Sequence, residues 1–148
     1  MVSHRSFIYD IKEDSWIEGP PLLSKRYFHC SCAIQSDDGP VEFIIIIGGR
    51  TRSELYYKTT EILNIKNQKW VKGPTLPCGI EQAACVSLPP LLDFACIVVG
   101  GCTFEQYASS DVYGLDKALT EWKHLGKIRK GRQSHIAVLL SKLDIYSF

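Results

Sequence analysis

Four histidines, six cysteines and several adjacent carboxylates are the side chains of this 148-residue chain that could ligate a metal or move a proton. Zinc chemistry would need two Cys or Cys/His pairs at ligand spacing. Cys30 and Cys32 form a single Cys-x-Cys pair, and Cys78, Cys85, Cys96 and Cys102 supply no matching second one. The expectation is therefore small, buried thiols rather than ligands, since free cysteine is among the most buried residue types. His4, His29, His124 and His135 do not cluster in sequence, and neither a G-x-S-x-G elbow nor an H-E-x-x-H pair is present. Glu13-Asp14 and Asp37-Asp38 fall in turn-forming stretches, where carboxylates are ordinarily solvated. The run FIIIIGGR at 43–50 ends on two glycines but lacks the G-x-G-x-x-G and Gly-Lys-Ser/Thr spacings that cradle phosphates. Catalysis, a cofactor and a bound metal are not expected.

The elements that must position these residues follow from bulk properties and repetition. The length suits one domain with a sizeable core. A composition of 45% hydrophobic, 11% aromatic and 22% charged residues, with net charge +1, argues against disorder and gives no case for nucleic acid. The N-terminal stretch has no apolar core after a basic start, as a secretory signal would. Apolar runs fall far short of the roughly 20 residues a membrane-spanning helix needs. A cytoplasmic protein is the expectation.

Slid along itself, the chain repeats. CIVVGGC at 96–102 restates IIIIGGR, so that Gly100-Gly101 follows Gly48-Gly49 by 52 residues. The three tryptophans keep the same step, with Trp16, Trp70 and Trp122 separated by 54 and 52 residues. Six residues before each stands a short turn-forming side chain, Asp10, Asn64 or Asp116, preceded by Tyr9, Leu63 or Leu115. Ten and thirteen residues after the first and third tryptophans come Arg26 and His29, and Arg132 and His135. The middle copy has Ile80 and Ala83 instead, and Gly-Pro follows Trp16 and Trp70 but not Trp122. FIIII and FACIVV suit strands buried on both faces, while TTEILNI and SDVYGLD alternate as partly exposed strands do. No stretch sustains a helical period, so the fold class is all-β.

Taken together, the double glycine after an aliphatic strand, Tyr9-Asp10 ahead of Trp16, and Arg-x-x-His after it resemble the kelch repeat. The resemblance covers nearly the whole chain. It implies a partial kelch-type β-propeller: two complete four-stranded blades and two half blades. By that resemblance residues 1–26 hold strands c and d of an incomplete blade, 27–78 and 79–130 are whole blades, and 131–148 hold strands a and b of another. Strands are expected at 28–34, 43–47, 59–65 and 69–73, then at 83–88, 94–99, 111–115 and 121–125. Residues 135–140 should be a strand a, and the terminal KLDIYSF a strand b. Because propellers close with 4 to 8 blades, the chain reads as a fragment. The glycines would admit a second backbone or a large ring, and the expected ring is a strand-d indole. Gly48, Gly49, Gly100, Gly101, the three tryptophans, Arg26, His29, Arg132 and His135 are expected to be structural.

Function is then expected on loops. In a four-stranded antiparallel blade the b–c and d–a connections emerge on one face. They carry Arg50, Arg52, Tyr56, Tyr57 and Lys58; Phe104 and Tyr107; and Lys127, Arg129, Lys130 and Arg132. A basic face with aromatics between suits a protein or an acidic peptide rather than nucleic acid. The family resemblance implies a non-catalytic interaction module, such as the substrate-recognition part of a cullin-based ubiquitin ligase adaptor working with a BTB domain. Its alternatives are an actin-binding scaffold and a galactose-oxidase-like propeller enzyme, which needs imidazoles and tyrosines on one copper. The recurrence of His29 and His135 at equivalent positions argues for scaffold instead.

Overall fold

The computed structural model describes residues 3–36, 39–53 and 55–140. Ten antiparallel strands and no helix make up these residues. Strands β1 (Ser6–Asp10) and β2 (Ser15–Gly19) pair as a two-stranded half blade. Strands β3 (Cys30–Gln35), β4 (Val41–Ile47), β5 (Thr60–Asn64) and β6 (Lys69–Lys72) form the first whole blade in sequential order. Strands β7 (Ala84–Ser87), β8 (Phe94–Val99), β9 (Asp111–Asp116) and β10 (Trp122–Lys127) form the second in the same order. The result is an arc of kelch-type blades, with no closed ring among the described residues. Observed strands lie within two or three residues of the expected spans.

Each hairpin between the third and fourth strands turns on the predicted short side chain. The Asp10 carboxylate accepts the Lys12 and Glu13 amides at 2.9 and 3.2 Å, and Asn64 accepts the Asn67 amide at 3.1 Å. Asp116 accepts the Thr120 and Glu121 amides at 2.7 and 3.0 Å. An oxygen one carbon from the backbone is what such a turn needs.

The core lies between the two whole blades. Ile45, Ile47, Ile62, Leu76, Ile80, Cys96, Val98, Tyr113, Leu115 and Trp122 are buried together there. Strands β4 and β8 supply the β-branched residues that fill a pleated, two-sided surface. The alternation of β5 proves misleading, because Thr60, Glu61, Ile62 and Leu63 are all buried. Glu61 is accommodated by a buried Arg26 guanidinium at 2.5 Å.

Residues 135–140 depart from expectation, being irregular instead of a strand a. A strand of that kind is held by a neighbouring strand b, and no such ladder reaches it among the described residues. The predicted strand at KLDIYSF and the Asp37-Asp38 turn lie outside the described residues.

Candidate functional site: an inter-blade cleft on the loop face

The cleft is shaped by how each blade fastens to the next. Gly48, Gly49, Gly100 and Gly101 all adopt left-handed backbone, with φ of 64°, 88°, 65° and 94°. Their second members donate to the carbonyl of the following unit, Gly49 to Ile80 and Gly101 to Arg132, each at 2.8 Å. A Cβ on Gly48 would run into the Ile80 carbonyl, and one on Gly49 would stand 2.7 Å from the Tyr27 carbonyl oxygen. Main chain, not an indole, is therefore what the glycine pairs admit. The expected ring is corrected accordingly: the ring found among the nearest neighbours of a pair is that of His135, whose Cε1 would lie 2.9 Å from a Cβ on Gly100.

The indoles point backward around the arc instead. Trp70 Nε1 donates to the Pro20 carbonyl at 2.8 Å, and Trp122 Nε1 donates to the Pro74 carbonyl at 3.2 Å. Those prolines follow the glycines after Trp16 and Trp70, so each Gly-Pro is the acceptor for the next blade's tryptophan. Their carbonyls also accept the Ser6 and Thr60 hydroxyls at 2.7 and 2.8 Å. Trp16, lying in the half blade, is 70% exposed, its ring 5.0 Å from that of Tyr9 and tilted by 43° to it. A second ladder runs through the residues entering each first strand: Gln82 N donates to Phe28 O at 2.8 Å and Ser134 N to Gln82 O at 2.9 Å. Phe28, Gln82 and Ser134 share positive φ values of 57°, 53° and 51°. Repetition here carries a non-glycine strain that a packed neighbour has to hold.

Several residues expected on the binding face are partly committed to these joints. Arg50 forms a 2.9 Å ion pair with the buried Glu81 of the next blade and lies over the Tyr27 ring at 5.3 Å. Burial pushes the Glu81 carboxyl up, and Arg50 offsets only part of that. One repeat later the same two positions are Cys102 and Gln133, whose thiol and amide oxygen again meet across the joint. Tyr57 lies under the Arg26 guanidinium at 4.7 Å and donates to the Lys25 carbonyl at 3.3 Å.

The structural assignments divide as well. Arg26 is buried, donating to the Gly48 and Thr59 carbonyls at 2.8 and 3.1 Å besides pairing with Glu61. Arg132, in the same repeat position, is exposed, its contact being a 3.5 Å bond to the Lys130 carbonyl. His29 is exposed, whereas both ring nitrogens of His135 are enclosed without a hydrogen-bond partner, and burial pushes its pKa down.

Between the loops of the two blades lies a cleft of about 480 Å³. Leu55, Tyr56 and Lys58 line one wall, Cys78 and Gly79 the back, and Thr103 to Gln106 the other wall, with Asp111 and Tyr113 at the base. Phe104 and Leu55, 90% and 62% exposed, are apolar groups offered to solvent at its mouth. Asp111 accepts Ser109 Oγ at 2.9 Å and meets His124 Nε2 at 3.0 Å and Lys127 Nζ at 3.6 Å. Burial alone would raise this carboxyl, but those bonds and the ammonium outweigh it and hold Asp111 below the usual carboxylate range.

Of the predicted loop residues, Tyr56, Lys58 and Phe104 thus converge on one cleft, and Lys127 reaches its base. Arg52, Tyr107, Arg129 and Lys130 are exposed on the surrounding loops. The lining itself balances Lys58 against Glu105 and Asp111, so the cleft is not basic in itself. Leu55, Cys78, Asp111 and Tyr113 were not legible as lining, since only the packing of one blade on the next brings strand β9 under loop 51–58.

No family model matches the chain. Kelch-like protein 23 of Homo sapiens is 26% identical to it over 118 residues, which cover 78% of this chain and 19% of that protein. The Mus musculus protein of the same name is 27% identical over 119 residues, with the same shares. The chain thus spans about a fifth of the length of the curated relatives it matches. The periodic glycines and tryptophans, the four-stranded blades they join and these relatives bear out the resemblance to the kelch-repeat family.

Proposed function

We propose that this chain is a non-catalytic protein-interaction module that takes a peptide segment of a partner protein in the cleft between its two whole blades. The observation carrying this reading is a cleft of about 480 Å³ whose mouth presents Phe104, Leu55 and Tyr56. Apolar and aromatic groups in a pocket are the usual anchors of an interface, and a polar rim steers and orients the partner. Arg52, Lys127, Arg129 and Lys130 on the surrounding loops favour a segment with an apolar anchor and acidic flanks. Panning a random peptide library on the chain tests this: acidic sequences around one large apolar residue should be enriched, and Phe104→Ala should lose at least about tenfold in affinity for them. Enrichment of basic sequences, or binding indifferent to Phe104→Ala, would contradict it.

The kelch-like resemblance extends the proposal to substrate recognition for a cullin-based ubiquitin ligase in the cytoplasm, with the ligase reached through a domain outside this chain. Co-purification of a cullin with the full-length protein, and its loss when any BTB-like region upstream is deleted, is the corresponding test.

A further inference from the structure

Four of the six cysteines lie at the joint between the whole blades. Cys30 and Cys32 stand two residues apart on β3, opposite Ile47 and Ile45, and so face the same side of their sheet. Cys85 and Ser87 share one face of β7, and Cys96 stands opposite Ser87 on β8. These two faces are turned toward each other: Ser87 Oγ donates to the Ala33 carbonyl across the joint. Cys30, Cys32 and Cys85, on these facing surfaces, all pack against the same buried cluster, of which Cys96 is a member. Cys30, Cys32 and Cys85 are half-buried, so a small solute reaches them, whereas Cys96 is fully buried. Among the described residues no group of three or more His, Cys, Asp or Glu side chains is placed to hold a metal ion.

We propose that Cys32 and Cys85 are a peroxide-oxidisable pair, a modification site at which a disulfide ties the first strands of the two blades together. The nearby Cys85 and Cys96 thiols favour the Cys32 thiolate, while Cys30, Cys32 and burial push the Cys85 thiol up. Cys32 is therefore the attacking sulfur. Its thiolate takes one oxygen of hydrogen peroxide, which is reduced to water as Cys32 becomes a sulfenic acid. The Cys85 sulfur then displaces that hydroxyl, which leaves as water with the Cys85 proton. Overall, two thiols and one peroxide give one disulfide and two waters. The two side chains stand on facing strands of neighbouring blades, so the bond forms across the joint.

Treatment of the full chain with one equivalent of hydrogen peroxide, followed by thiol titration and tryptic mapping, tests the pair. Titratable thiols should fall from six to four. Peptides 27–50 and 73–117 should become joined, with fragmentation placing the bond at Cys32 and Cys85, and dithiothreitol should release them. Cys32→Ser and Cys85→Ser should each abolish the joined species, and Cys102→Ser should not. The wild-type map decides the matter even if a variant folds poorly. A disulfide confined to peptide 27–50, a Cys32–Cys96 bond, sulfinic acid without cross-linking, or six unreacted thiols would each overturn the proposal.

Discussion

Replacing Arg26 by isoleucine while keeping Glu61 would leave a carboxylate that is 2% exposed without its cation. The guanidinium lies 2.5 Å from Glu61 and also satisfies the Gly48 and Thr59 carbonyls. Removing one member of a buried pair costs about 3–5 kcal/mol, since the survivor stays desolvated. The neighbouring blade supplies the remedy, because the same two repeat positions hold Ile80 and Tyr113, both buried in the apolar core. Arg26→Ile combined with Glu61→Tyr should therefore recover most of the loss. The residual deficit should be about 1–2 kcal/mol, for the Leu23 amide that Glu61 accepts at 2.7 Å and the freed carbonyls. Urea unfolding followed by circular dichroism measures both. With a slope of about 1–3 kcal/mol per molar, Arg26→Ile should lower the midpoint by about 1 M or more. A single variant costing under about 1 kcal/mol, or a double variant no better than the single, would refute the reasoning.

The blade joints make further predictions. Gly48→Ala should cost at least about 2 kcal/mol in urea unfolding, combining left-handed backbone with a collision on the Ile80 carbonyl. Gly126→Ala carries backbone strain of its own at φ 139° but meets no neighbour within 4 Å, so it should be spared the collision part of that cost. Trp70→Phe, which removes the 2.8 Å bond to Pro20 but keeps a ring, should cost about 1 kcal/mol, against almost nothing for the exposed Trp16→Phe. Because Asp111 is held below its ordinary pKa, its stabilising contribution is present above its unfolded value of about 3.9 and is lost as pH falls through the lower folded value. Asp111→Asn should thus flatten the acid limb of a stability–pH curve below about pH 4, and an unchanged limb would contradict that assignment.

Strand order and most strand positions were legible because local signals agree: β-branched runs, an Asx turn before each fourth strand and a period near 50 residues. The joints were legible only in part. Periodicity marked Gly48-Gly49 and Trp70 as structural, but which groups meet depends on how one blade is set against the next. Proximity alone therefore suggested an indole where the Ile80 carbonyl sits. The recurrence of Ser6 and Thr60 with Gly19-Pro20 and Gly73-Pro74 was a usable signal for the indole acceptors, since all of them keep the 54-residue step of the first two tryptophans. Arg26 was expected to be scaffold from its repeat position, but its partner Glu61 lies in a segment whose alternation suggested solvent. No sequence signal announced that Arg50 would pair with Glu81, or that Cys32 would face Cys85.

The central claim is that the cleft framed by loops 51–58 and 103–110 is where a partner's peptide binds. A crystal structure of the chain with a peptide enriched by panning tests it most directly. An apolar side chain of the peptide should be seated against Phe104, Leu55 and Tyr56, with acidic residues toward Arg52 or Lys127. A peptide lying along the outer strands β6 or β10, or on the face bearing the turns at Asp10 and Asn64, would contradict it.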